Sequence, residues 1–326
     1  MEYRHLGKDG PNVSEIGLGT WPLGGSLVLG GAPTGWGRVP GSEARGGLER
    51  ALDLGINFFD TSDSYGLGRA ERLLGEVVSP RRGQVVIGTK AGWVPDGVER
   101  WLSDLSPDHL RAAADRSRRR LRSDYLDLFQ LHSVPAAGDE TDRALDALEE
   151  LRTRGTVRRI GASVGLDVEA GRRLVGTGRL DTLEVHYSLL HQGAAVELLD
   201  EALAAGVAVI ASSPLAYGFL SGRYTRRTTF ARDDWRCRLT PEEIAARVAR
   251  VGELRFLTAE GERSLLHAAL QFVLAHPAVV SAIPGFRSPE QVEELAAAQE
   301  ARPLSDIEVA RARDLGRTWS RPAQPA

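Results

Sequence analysis

The sequence predicts a closed parallel (β/α)8 barrel, the TIM-barrel architecture, with an N-terminal β-hairpin. Three observations lead there. Short apolar runs alternate with amphipathic segments along the chain, a rhythm that favours a parallel sheet wrapped in helices. Polar groups able to do chemistry follow several of those runs directly, and in a barrel the C-terminal strand ends share one mouth. No Gly-x-Gly-x-x-Gly follows the first strand, which argues against an open, doubly wound sheet of the Rossmann type. The 326 residues are read as a single domain, 1–326, because such barrels routinely exceed the usual single-domain length.

Residues 2–17 read as the hairpin: Tyr3 to Leu6, a turn from Gly7 to Pro11, then Val13 to Ile16. Its expected place is the bottom of the barrel. Gly17-Leu18-Gly19-Thr20-Trp21 supplies a first strand near 17–20, and the Gly- and Pro-rich stretch 22–41 reads as a loop. Ser42 is placed to cap a helix running to Leu54, with Leu48, Ala51 and Leu52 at helical spacing. Further strands are predicted near 57–60, 85–89, 126–131, 158–162, 182–186, 207–211 and 279–283. Helices are predicted near 69–78, 107–122, 141–154, 167–176, 193–205, 241–257, 263–275 and 288–299. Ser106-Pro107 makes a helix start, serine as cap and proline in the first turn. Gly55, Gly155 and Gly206 stand where helices stop before the next strand. Segment 213–240 breaks the rhythm with Gly218, Gly222 and six arginines: Arg223, Arg226, Arg227, Arg232, Arg236 and Arg238. A long irregular loop in a compact domain is usually functional. This one either folds over a bound ligand or runs over the surface with its arginines solvated. The tail after Trp319 is expected to be mobile.

Composition narrows the function. Hydrophobic content of 42% and charged content of 26% are ordinary for a globular protein in water. A net charge of −3 makes nucleic acid or an anionic membrane surface a poor partner. The single cysteine, Cys237, permits no intrachain disulfide, and the N-terminus has no apolar signal core, so a cytoplasmic setting is expected. No apolar run approaches the roughly eighteen residues that span a bilayer, and no metal site is read from the sequence. One count says more. Of 41 basic residues only Lys8 and Lys90 are lysine. Arginine cannot readily lose its proton and carries a bulky planar head, whereas lysine is a compact ammonium of tunable pKa. A lysine kept at position 90, at the end of an apolar strand, points to a chemical need.

The stretch around which the chain is organised runs from Asn57 to Gly66. An acid, Asp60, closes its apolar run, and a phenol, Tyr65, follows five residues later. Val85-Val86-Ile87-Gly88-Thr89 ends in Lys90, and Leu126-Asp127-Leu128-Phe129-Gln130-Leu131 ends in His132. If these strands are neighbours in one barrel, an acid, a phenol, an amine and an imidazole meet at its mouth.

These residues resemble the aldo-keto reductases. Phe58-Phe59-Asp60-Thr61-Ser62-Asp63-Ser64-Tyr65-Gly66 is similar to the family's first signature, and Gly68-Arg69-Ala70-Glu71-Arg72-Leu73-Leu74-Gly75 continues the pattern. Thr89-Lys90, Gln130-Leu131-His132, Ser213-Pro214-Leu215 and Ile283-Pro284-Gly285 fall in the family's order, so the resemblance covers nearly the whole chain. It implies Asp60, Tyr65, Lys90 and His132 as catalytic residues, NADP(H) as cofactor, and a small-molecule carbonyl or alcohol substrate. Elementary chemistry agrees. A carbonyl that accepts hydride needs a proton, and an unperturbed phenol, with a pKa of about 10, gives and takes it slowly at neutral pH. A nearby ammonium favours phenolate, a carboxylate behind it keeps it charged, and an imidazole can donate to the carbonyl oxygen.

The resemblance also implies cofactor contacts at Gly19, Thr20 and Trp21, at Ser163 and Glu184, at Ser213, Pro214, Leu215 and Gly222, and at Ile283, Gly285, Arg287, Gln291 and Glu294. Arg287 precedes a helix whose free N–H groups favour an anion, and its guanidinium suits a 2′-phosphate. Loops 22–41, 91–105 and 213–240 are expected to shape the substrate pocket, and His186 and Tyr187 suit either rim packing or substrate contact. Three residues near the nicotinamide depart from the family: Val164 follows Ser163 where Asn is usual, Glu184 stands where Gln is usual, and Ser212 where an aromatic often stacks. On the adenine side Leu295 replaces the usual Asn. Valine cannot hydrogen-bond an amide, and glutamate accepts from its NH₂ but cannot donate to its carbonyl. The complete tetrad favours an NADPH-dependent carbonyl reductase or alcohol dehydrogenase. The departures leave open a redox-neutral acid–base enzyme, for elimination or epimerisation, and a nucleotide-sensing partner protein.

Overall fold

Each apolar run becomes a strand of one parallel sheet. The computed structural model describes residues 1–132, 138–193 and 195–320; residues 321–326, in the tail expected to be mobile, lie outside the described residues. The strands are β1 (Leu18–Gly19), β2 (Phe58–Asp60), β3 (Val86–Ala91), β4 (Leu126–His132), β5 (Val157–Gly165), β6 (Thr182–His186), β7 (Ala208–Ser212) and β8 (Val279–Ile283). They pair in chain order. Gly17 N donates to Ala282 O and Gly19 N to Pro284 O, each at 2.9 Å, which brings β1 back onto β8. Register sets the site residues level: Lys90 pairs Gln130, His132 pairs Ser163, Ser163 pairs Glu184, and His186 pairs Ser212.

The strands alternate with α1 (Gly41–Asp53), α2 (Arg69–Val78), α3 (Pro107–Leu121), α4 (Asp139–Thr153), α5 (Val168–Gly176), α6 (Ala195–Ala204), α7 (Pro241–Glu253), α8 (Leu265–Leu274) and α9 (Pro289–Ala296), followed by α10 (Asp306–Ser320). Ser106 caps α3 as its sequence predicts. Ser42 does not cap α1, because the helix already begins at Gly41 after Pro40, which puts Ser42 inside the first turn. The predicted helix 241–257 ends at Glu253 and passes into 3₁₀ turns over Leu254–Gly261. Two short hairpins arise in stretches read as loops, Val28–Leu29 with Ala32–Pro33 and Trp93–Asp96 with Arg100–Ser103. No described helix is long and apolar enough to cross a membrane.

The hairpin, Tyr3–His5 with Asn12–Ser14, closes the N-terminal end of the barrel. Its Leu6 and Val13 are fully buried in a cluster with Phe58, Leu128 and Ile210 from the barrel strands, and Arg4 Nη1 donates to Val279 O at 2.6 Å. A buried side chain of this size contributes about 1.5–3 kcal/mol. With that end filled by apolar groups, only the C-terminal end is left for a ligand.

Candidate active site

Asp60 closes β2, Lys90 lies in β3 and His132 closes β4, three adjacent strands. Tyr65 sits on the turn after β2, whose backbone is tied to β3 by Asp63 N donating to Lys90 O at 3.1 Å. Gly66 lets that turn pass close to the loop after β1: it has φ +57°, and a Cβ there would lie 2.2 Å from Gly24 O. The four residues implied by the resemblance therefore meet. Lys90 Nζ donates to Asp60 Oδ1 at 2.5 Å, and its ammonium is 5.4 Å from the centre of the Tyr65 ring. The Tyr65 and His132 rings meet edge to face at 5.9 Å. Ser62 Oγ lies 3.0 Å from His132 Nδ1, fixing the imidazole from behind; Ser62 stands in the quoted signature, but no role was read for it.

Glu184 has partners that its sequence position does not reveal. It borders the cleft, as a cofactor contact should, yet its Oε2 takes a hydrogen bond from Lys90 Nζ at 2.9 Å and another from Gln130 Nε2 at 3.1 Å. Lys90 is fully buried, and Asp60 and Glu184 are 2% and 3% exposed. In that dry setting burial would lower Lys90, but the two carboxylates outweigh it and hold the ammonium above its usual range. Burial, reinforced by the Glu184 charge, raises Asp60 well above the ordinary carboxyl range; Asp60 Oδ2 has no hydrogen-bond partner among the described residues. Burial opposes ionisation of Glu184 too, but the Lys90 charge and hydrogen bond prevail and hold it low. Burial pushes the Tyr65 phenol up against the pull of Lys90. Burial, with the Lys90 charge, pushes His132 down to about 3, so its imidazole is neutral at pH 7.

A cleft of about 550 Å³ opens over these groups and runs to the N-terminus of α9. Gly19, Trp21, Ser163, Ser213, Pro214, Leu215, Ile283, Gly285, Arg287, Gln291 and Glu294 line it, as the resemblance implies. Thr20 and Gly222 do not. Thr20 is buried and turns its hydroxyl onto Asp60 O at 3.0 Å, and Gly222 ends a 3₁₀ turn facing solvent. Val164 is also outside the cleft: β5 bulges between Ser163 and Gly165, and Val164 packs in the apolar core. Tyr187 is in the core as well, whereas His186 faces the cleft with Tyr217 Oη 3.3 Å from its Nδ1.

The three expected loops do line the cleft, and with Trp36, Trp93, Trp101 and Tyr217 beside Trp21 they make its rim aromatic. Segment 213–240 combines both readings of it. Arg226, Arg227 and Arg232 are exposed, but Arg236 is buried, paired with Asp234 at 2.6 Å and lying 4.4 Å over the Trp36 ring. Trp235 N donates to Gly35 O at 2.8 Å, and Arg223 pairs with Glu294 of α9 at 2.7 Å, so the segment is pinned on both sides of the cleft. Nothing in the local sequence distinguishes Arg236 from its neighbours; only Asp234 two residues before it is a signal.

Comparison with known proteins identifies the family. The aldo/keto reductase family model matches residues 15–317. The oxidoreductase YqkF of Bacillus subtilis is 30% identical over 95% of this chain and 94% of its own. The NADH-specific methylglyoxal reductase of Escherichia coli is 29% identical over 97% and 98%. Among solved structures, the glycerol dehydrogenase AKR11B4 of Gluconobacter oxydans superposes with a TM-score of 0.82 at 27% identity, over 99% of this chain and 98% of that one. With its barrel matched from end to end by sequence and by structure, the chain belongs to the aldo/keto reductase family.

Proposed function

We propose that the protein is an NADP(H)-dependent oxidoreductase that interconverts an aldehyde or ketone and an alcohol, with Tyr65 as general acid and base. The observation that carries this reading is the Lys90 ammonium, buried, bonded to Asp60 and set against the Tyr65 ring. A phenol so placed gives its proton to a carbonyl oxygen in the cleft and takes it back in the reverse direction. Neutral His132 orients that oxygen. When the Ser62 hydroxyl donates to Nδ1, the tautomer left carries its proton on Nε2 and can donate it.

The cleft suits a dinucleotide. Ser212 Oγ is buried in its wall with no hydrogen-bond partner among the described residues, which fits a polar ligand. Ser163, Ser213, Leu215 and Gly285 are the residues to hold the nicotinamide and pyrophosphate. Arg287, beside the N-terminus of α9, is the residue for a 2′-phosphate. When bound, the nicotinamide supplies or accepts the hydride. The aromatic rim suits a carbonyl compound with an apolar or aromatic body. Deuteride transfer from labelled NADPH tests the reading: label is expected at the product carbinol carbon on one face. Product formed without label, and without net oxidation of cofactor, would transfer support to redox-neutral acid–base chemistry.

A further inference from the structure

A buried ammonium needs one carboxylate to neutralise it, and Lys90 has two. Asp60 reaches it from β2 and Glu184 from β6, at 2.5 and 2.9 Å. Gln130 from β4 fixes the Glu184 oxygen at 3.1 Å. The other titratable groups facing the cluster are Tyr65 on the turn after β2, His132 at the end of β4 and His186 at the end of β6. Both imidazoles are held below their ordinary range by burial and are neutral, so they add no positive charge. Ionising the phenol would then place a negative charge in a fully buried cluster whose single cation is already neutralised by Glu184.

We propose that Glu184 is a positioning residue which, as second counter-ion of Lys90, keeps Tyr65 in its protonated form and sets the pH at which phenolate becomes available. The proposal rests on the reading of Tyr65 as the acid and base. Asp60, its carboxyl raised by burial and by the Glu184 charge, leaves part of the ammonium field to stabilise phenolate; Glu184, held low by Lys90, cancels that remainder. Burial dominates the upward pressure on the phenol, and the Asp60 and Glu184 charges add to it while Lys90 opposes. Reduction uses the phenol: its O–H bond breaks and a new O–H bond forms on the product. Oxidation needs phenolate to accept the alcohol proton, and this cluster makes phenolate scarce.

Glu184→Gln tests this, being nearly isosteric and still offering an acceptor to Gln130. Two readouts are compared with wild type. One is the pH profile of kcat/KM in both directions. The other, free of cofactor and turnover, is the Tyr65 titration followed by ¹³Cζ NMR of labelled tyrosine, its resonance among the six tyrosines assigned by loss in Tyr65→Phe. In E184Q the Tyr65 midpoint is expected to fall by about one pH unit or more, and the basic limb for oxidation to fall with it. The phenolate fraction of Tyr65 at pH 7 should rise about tenfold, since one pH unit is tenfold in phenolate. Glu184→Asp, which restores the charge, should return the midpoint towards wild type, and it serves as the comparison if E184Q does not fold. A Tyr65 midpoint unchanged in folded E184Q overturns the proposal. So does a uniform fall in kcat with no shift in the pH limb, which would leave Glu184 a packing role. If Tyr65→Phe itself turns over like wild type, the acid–base assignment falls and takes the proposal with it, a failure distinct from the first two.

Discussion

Lys90 is one of two lysines among 41 basic residues, and it is fully buried between two carboxylates. A guanidinium is too wide and too planar to replace a tetrahedral head at those distances, and it offers no compact point charge to the phenol. Lys90→Arg is therefore expected to be nearly as damaging as Lys90→Met, each losing about 10²-fold or more in turnover, the range for general acid–base catalysis. Steady-state rates on one carbonyl substrate decide it, and activity restored by arginine would reduce Lys90 to a carrier of charge. Arg287 makes a different kind of case. Its Nη2 donates to Arg38 O at 2.9 Å at the edge of the cleft. If it grips a 2′-phosphate, Arg287→Ala should weaken NADPH by about 1.5–3 kcal/mol, the value of a charged hydrogen bond. NADH binding should be nearly unchanged. Fluorescence titration with both nucleotides measures it, and equal losses would remove the phosphate assignment. The positions of Asp60, Tyr65, Lys90 and His132 were legible because strand ends and residue types coincide. The partner of Glu184 was not, because Lys90 is 94 residues away and a carboxylate at a strand end gives no sign of which cation it meets.

At the level of elements, the strands were legible because a fully buried parallel strand must be a short apolar run, as Phe58–Asp60 and Val279–Ile283 are. The helices were legible from apolar spacing and caps. Helix α10 was not anticipated: its only described buried apolar residue is Ala312, too faint a stripe to separate it from the polar tail. The hairpin carrying Trp93 and Trp101 was also missed, since Trp93–Asp96 and Arg100–Ser103 are mostly exposed and lack alternation. Segment 213–240 depends on a single buried pair. Arg236 Nη2 holds Asp234 Oδ2 at 2.6 Å and its Nη1 donates to Tyr224 Oη at 2.7 Å, both inside the loop that borders the cleft. Removing the cation strands a buried carboxylate, which typically costs about 3–5 kcal/mol. Arg236→Met is expected to loosen the segment, raising KM more than it lowers kcat and exposing the loop to limited proteolysis. Unchanged KM and unchanged protease resistance would mean that the segment is held by its aromatic contacts instead.

For the molecule as a whole, stability in acid sums groups of opposite sign. Burial pushes His191 down to about 4, and its unfolded value is near 6.5. The unfolded chain therefore binds a proton that the folded chain refuses between those values. The contribution of His191 is complete above about pH 6.5 and is lost as pH falls through about 4. His132 works in the same sense, its loss extending to about 3. Asp63 works in the opposite sense: burial, with the Glu71 charge, raises it to about 7, so its stabilisation is complete below its unfolded value and fades as pH climbs to about 7. The wild-type curve between pH 7 and 4 is thus a sum of opposed slopes, and a single midpoint in acid identifies none of them. Comparison with His191→Gln isolates one. The side chain lies outside the tetrad and its Nδ1 is 3.2 Å from Ser188 Oγ, a contact that glutamine can imitate. From pH 7 to pH 4 the wild type should lose about 3 kcal/mol more than the variant, a little under the full 2.5 pKa units at about 1.4 kcal/mol each because pH 4 is the folded midpoint. Urea unfolding of both proteins at four or five pH values reads that difference directly. Parallel curves would mean that the His191 imidazole can bind its proton while folded, and the buried, uncharged state argued for it would be wrong.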